Sequence, residues 1–145
     1  MLAIGSDHGG FALKQELLQY LKSREIPYLD YGCFDESSVD YPDIAQTVCK
    51  SILDGTCERG ILVCGTGIGM SIAANKIRGI RAAQVSDPFS AKMAREHNDA
   101  QVITLGGRVL GPELAKEIVA SYLHASFAGG RHVHRLDKIK MMEQS

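Results

Sequence analysis

Short runs of apolar, often β-branched residues alternate along the chain with longer stretches whose apolar positions recur every three or four residues. Residues 2–5 predict a first strand. Phe11–Ser23 carries Leu13, Leu17, Leu18 and Leu21 at helical spacing. Residues 27–31 predict a second strand, ended by Gly32. Over Tyr41–Leu53 the side chains Ile44, Val48 and Ile52 share a face, and Pro42 falls in the first turn. Residues 60–64, Gly-Ile-Leu-Val-Cys, have no polar alternation, the mark of a strand covered on both faces in a parallel sheet. A glycine-rich stretch follows, then a helix over 70–76 and a fourth strand over 80–85. Asp87 and Pro88 predict the N-cap and first residue of a helix running to about Glu96. A fifth strand spans 101–105, closed by Gly106 and Gly107. Gly111 and Pro112 open a helix over 113–123, and Gly129-Gly130 precede a last helix over about 132–143.

This alternation predicts a doubly wound α/β/α sandwich, Rossmann-like, with a five-stranded and mainly parallel sheet. It reads as one domain over residues 1–145, without repeat or linker. Ligands of such sheets bind outside the carboxyl ends of the strands. That rule selects the loops 6–10, 32–40, 65–69, 86–88 and 106–108.

Composition narrows the function classes. A net charge of −1 argues against a nucleic-acid or membrane surface. No apolar run approaches the roughly 20 residues of a membrane span, and Met1–Asp7 has no basic leader. Cys33, Cys49, Cys57 and Cys64 form no C-x-x-C pair, against a structural zinc or a disulfide scaffold; reduced thiols in the cytoplasm are expected.

The sharpest signal is Cys64-Gly65-Thr66-Gly67-Ile68-Gly69. Three alternating glycines between a buried strand and a helix let backbone N–H groups approach a ligand. The helix N-terminus adds unpaired donors and partial positive charge, a place for an anion or for an oxygen that becomes anionic. Met70 stands where a dinucleotide loop needs its third glycine, and no phosphate-loop Lys-Ser/Thr follows. Cys64, last in its strand and just before the helix, occupies a position that favours a thiolate. A thiolate beside oxyanion donors suits proton abstraction next to a carbonyl. Weaker signals lie elsewhere. Asp7 and His8 end strand one and offer hydrogen bonds to hydroxyls or phosphate. His97 lies in the His97-Asn98-Asp99 turn. Arg131 and Arg135, four apart, share a helix face that can grip one phosphate. His132-x-His134 has no neighbouring carboxylate or cysteine, so no metal site is expected.

Together these segments resemble the type B ribose-5-phosphate isomerases, of the RpiB/LacA/LacB sugar-phosphate isomerases. The resemblance rests on Gly5-Ser6-Asp7-His8-Gly9-Gly10-Phe11, Asp40-Tyr41-Pro42-Asp43, Cys64 to Gly69, Ser71 to Lys76, Gly79-Ile80-Arg81-Ala82, His97-Asn98-Asp99, Leu105-Gly106-Gly107-Arg108 and Gly129-Gly130-Arg131-His132, in order over nearly the whole chain. It implies metal- and cofactor-free interconversion of ribose 5-phosphate and ribulose 5-phosphate. Cys64 would be the base between C2 and C1, Thr66 would assist at the enediolate oxygens, and the backbone of Gly65, Thr66, Gly67, Ile68 and Gly69 would form the anion hole. His97 would open the furanose ring. Asp7, His8, Tyr41 and Asn98 would contact substrate, and Arg108, Arg131 and Arg135 would hold its phosphate. The resemblance further implies a homodimer or homotetramer with His97 and Asn98 reaching a neighbour's site. Alternatives are a hexose 6-phosphate as substrate, or a non-catalytic nucleotide-binding module.

Overall fold

The computed structural model describes residues 1–144. Five strands, β1 (Leu2–Ser6), β2 (Tyr28–Asp30), β3 (Arg59–Cys64), β4 (Ala82–Gln84) and β5 (Val102–Gly106), form one sheet in the order β2-β1-β3-β5-β4. All four pairings are parallel. Six helices accompany them: α1 (Phe11–Ser23), α2 (Tyr41–Leu53), α3 (Ile68–Asn75), α4 (Pro88–Glu96), α5 (Pro112–His124) and α6 (Arg131–Met142). The strand order reverses between β1 and β3. That is the switch point at which open α/β sheets bind ligands.

Side-chain alternation divides the core into two layers. Ile4, Ile61, Val63, Ile103 and Leu105 face α1, α4 and α5, while Ala3, Leu62, Cys64 and Val102 face α2 and α3. The three central strands are buried at nearly every position, which is why β3 reads as an unbroken apolar run. The predicted strands at 27–31 and 80–85 shorten to β2 and β4 because both are edges, each paired at three positions with a single neighbour. The helix predicted over 70–76 starts two residues earlier, at Ile68, with Gly67 as its N-cap. The last two residues of the glycine stretch are therefore its first turn. Asp87 caps α4 as expected, accepting from the Ser90 amide at 2.7 Å; that bond lowers its carboxyl pKa. α6 is an appendage whose mostly exposed surface buries only His132 among its described residues.

One polar group is built into the core beside the carboxyl ends of β1 and β2. Lys14, fully buried in α1, donates through Nζ to Asp30 Oδ1 at 2.7 Å and to the Cys33 carbonyl at 2.5 Å. It thereby ties α1 to the loop that leads to Tyr41. Lys14→Met keeps the volume and strands both acceptors. It should lower the free energy of unfolding by about 2 kcal/mol, read as a fall in the urea midpoint at unchanged slope. A midpoint equal to the parent's would mean that the pair only offsets its own desolvation.

Candidate active site

Cys64 ends β3 facing the α2–α3 layer, nearly buried, and the Gly67 amide donates to its Sγ at 3.1 Å. Such a bond is stronger to a thiolate than to a thiol. Gly67 adopts a left-handed conformation (φ 82°), and a Cβ there would lie 2.9 Å from the Leu105 backbone. No other residue type fits the turn that aims this amide back at the sulfur. The Ile68 amide donates to Thr66 Oγ1 at 3.2 Å, holding the hydroxyl at the loop's rim. Among the described residues, the amides of Gly65, Thr66 and Gly69 have no partner. Unpaired donors at a helix N-terminus beside a thiol can stabilise an oxyanion next to a base.

The loop is fastened from β5. The Gly107 amide donates to the Cys64 carbonyl at 2.7 Å and the Arg108 amide to the Gly65 carbonyl at 3.0 Å. The buried Thr104 hydroxyl donates to the Gly67 carbonyl at 2.7 Å. Around the loop stand four of the expected substrate contacts. Asp7 caps the turn at His8–Gly10, accepting from the Gly10 amide at 3.0 Å through one carboxylate oxygen. His8 Nδ1 accepts from the Val39 amide at 3.3 Å, which leaves the ring proton on Nε2. The Tyr41 ring packs on Gly69, where a Cβ would lie 2.8 Å from it. The Arg108 guanidinium lies against Gly9 and Gly65.

The remaining expected residues are at the opposite end of the sheet. His97 caps the carboxyl end of α4, and the turn through Asn98 and Asp99 leads into β5. Gly60 and Arg81, at the amino ends of β3 and β4, bond to Gln101 in that turn. β5 runs from Val102 beside Gly60 to Gly106 beside Cys64, four residue steps or about 13 Å of strand. The carboxyl-end rule therefore selects the Cys64 loop but not this turn, and no single chain brings His97 to its own Cys64.

The second cluster has its own framework. Arg81 donates to the Asn98 carbonyl through Nε and to the Asp99 carbonyl through a terminal nitrogen, both at 2.9 Å. Arg95 and Arg81 both pair with the Asp99 carboxylate, and Asp99 itself takes a positive φ of 45°. The His97 ring stacks on His132, and Arg131 and Arg135 flank His132 on α6. Among the described residues, Arg108, Arg131 and Arg135 form no ion pair with a carboxylate. Thr104 and Lys14 escape the sequence reading, and Arg81 enters it only within the segment Gly79 to Ala82, because none of the three carries a local sign of its distant partner. No three His, Cys, Asp or Glu side chains converge as a metal site requires, among the described residues. No described helix is long and apolar enough to cross a membrane.

Known proteins are similar to this chain over nearly its full length. Ribose-5-phosphate isomerase B of Escherichia coli is 46% identical over 99% of this chain and 96% of its own. D-erythrulose-4-phosphate isomerase of Pectobacterium atrosepticum is 49% identical over 98% and 94%. The structure of ribose-5-phosphate isomerase B from Clostridium thermocellum superposes with a TM-score of 0.96 at 50% identity, covering 99% of this chain and 97% of that one. The model of the ribose/galactose isomerase family matches residues 2–139, and the chain belongs to that family.

Proposed function

We propose that the protein is a cytoplasmic aldose–ketose isomerase that interconverts ribose 5-phosphate and ribulose 5-phosphate through an enediolate. The observation that carries this reading is Cys64 at the head of a loop whose Gly67 amide points at its sulfur and whose neighbouring amides are unpaired. Cys64 Sγ removes the proton from C2 of the open-chain aldose. Charge develops on O1, where the amides of Gly65, Thr66 and Gly69 receive it. Thr66 assists the transfer of the O2 proton to O1, and Cys64 returns its proton to C1. The carbonyl then stands at C2, with no net change in protons.

His97 acts earlier, moving the proton of the anomeric hydroxyl to the ring oxygen as the C1–O bond breaks. It serves the Cys64 of a neighbouring subunit in a homodimer or homotetramer. The separation of the two clusters within one chain supports this. So do exposed apolar residues at both ends: Ile68 and Ile72, one turn apart beside the loop, and Val133 beside His132. In a two-fold dimer one such pairing occurs twice and completes two sites. Asp7, His8, Tyr41 and Asn98 orient the sugar. Arg108 contributes to the phosphate end from the loop's subunit, and Arg131 and Arg135 from the other.

A relative that acts on erythrulose 4-phosphate favours a second reading in which the same C1–C2 chemistry serves a different chain length. Comparing kcat/KM for tetrose 4-, pentose 5- and hexose 6-phosphates tests the choice; the pentose should lead, and a hexose or tetrose in front would reassign the substrate.

Cys64→Ala should lower kcat about 10³-fold, with KM for the sugar phosphate changed far less. Retained turnover would remove Cys64 as the base. His97→Asn should lose more activity on the furanose than on the open chain, and equal losses would remove its ring-opening role. Co-expressed Cys64→Ala and His97→Asn chains should regain about a quarter of the parent's furanose activity, because half the dimers carry one intact site of two. A mixture as inactive as its components would show that the site is not shared.

A further inference from the structure

In the second cluster two imidazoles meet face to face. The His97 and His132 rings stack with centroids 4.3 Å apart and planes 16° from parallel. They come from different elements, the end of α4 and the first turn of α6, so the contact is tertiary. His132 is 9% exposed on a helix whose other residues are mostly exposed, so this ring anchors the first turn of α6 on the body of the protein, while Glu143 at its far end accepts from the Gly79 amide. Neutral rings stack favourably, whereas two imidazolium ions at this distance repel each other.

We propose that His132 is a positioning residue for His97: the stack sets the plane of the His97 ring, and the stacked pair takes up a single proton, on one ring and not on both, when a phosphate dianion is bound by Arg131 and Arg135. This rests on the reading of His97 as the ring-opening group and of the two arginines as phosphate ligands. The surrounding charges carry the argument. Arg131 and Arg135 act on His132 from its own helix, and His97 from α4. The carboxylates nearest in sequence to His97 are engaged elsewhere, Glu96 with Lys92 at 3.7 Å and Asp99 with Arg95 and Arg81. Burial most of all, and then His97 and the two guanidinium groups, lower the His132 imidazole from its ordinary pKa, so each of them disfavours the charged ring. A phosphate dianion offsets the guanidinium charge and lets the stacked pair take up a proton. Substrate would then bring, through its phosphate, the charge that prepares the pair for ring opening. His132 exchanges no proton with the sugar; His97 carries the anomeric proton to the ring oxygen.

Imidazole ¹⁵N NMR on the intact oligomer, with inorganic phosphate as the probe, tests the coupling. Saturating phosphate should raise the His132 titration midpoint by about one pH unit, and Arg135→Gln should abolish most of that response. A midpoint indifferent to phosphate, or two rings that protonate independently in its presence, overturns the coupling. Kinetics test the positioning. His132→Ala should lower furanose turnover about tenfold more than open-chain turnover, and His132→Phe, which keeps a ring in the stack, should restore most of the difference. Equal losses on both forms in His132→Ala would mark a merely structural residue and overturn the positioning role. Were the parent protein to isomerise no sugar phosphate, the functional reading would fall, while the NMR response would still decide the coupling.

Discussion

Parallel strands impose the constraint on which the rest of this molecule depends. Every strand runs the same way, so every connecting helix must run back, and the two ends of the sheet become chemically different places. Loops that follow strands gather at one end with helix N-termini and their unpaired amides. Turns that follow helices gather at the other with helix carboxyl ends and unpaired carbonyls. Cys64 and its loop belong to the first kind, His97 and Asn98 to the second. Arg81 and Arg59 show the complementary chemistry at that second end: Arg81 donates to the carbonyls of Asn98 and Asp99, and Arg59 to those of Tyr122, Leu123 and Ala125. Burial and the neighbouring Arg95 hold the Arg59 pKa below its usual value, but a guanidinium keeps its charge across the whole physiological range.

The loop after β3 is useful only if it does not move. Its carbonyls at Cys64, Gly65 and Gly67 are each taken by a donor from β5 or the residues just after it. That leaves the amides, not the carbonyls, facing outward. The polarity of the site thus comes from a neighbouring strand that satisfies one half of the loop's backbone. Donors held this way need no reorganisation when charge develops, which is where preorganised hydrogen bonds act most strongly. Gly67 and Gly69 are part of the same arrangement, one for its backbone conformation and one because Tyr41 occupies the space a side chain would fill.

Much of this is legible in the residues. α1 and α2 coincide with their predicted spans because each has an apolar stripe and clear limits, and α4 because Asp87 and Pro88 write its start. The edge strands are overestimated because apolar composition does not reveal how many neighbours a strand has. The glycine loop stands out locally, since its glycines, its cysteine and its helix start are contiguous. Physical reading alone assigns His97, Arg131 and Arg135 weakly, because their meaning lies in a contact between distant segments. The His97–His132 stack joins residues 35 apart in sequence, and no pattern in either segment points to the other. For those residues the resemblance of ordered segments says more than spacing does.

The placement of the arginines bears on why such a site would be divided between subunits. Arg108 lies with the loop, against Gly65, while Arg131 and Arg135 lie with His97 on the other cluster. A phosphate held by both sets would bridge two copies of the chain, with its charge shared across their contact. Binding energy from the phosphate, remote from the reacting carbons, would then orient C1 and C2 over Cys64 and bring the His97 cluster against the same sugar. Neither cluster alone has both Cys64, the proposed base for C2, and His97, the proposed ring-opening group. The parallel sheet separates them by a strand's length in one chain, and the proposed apposition of opposite ends of two copies would remove that distance.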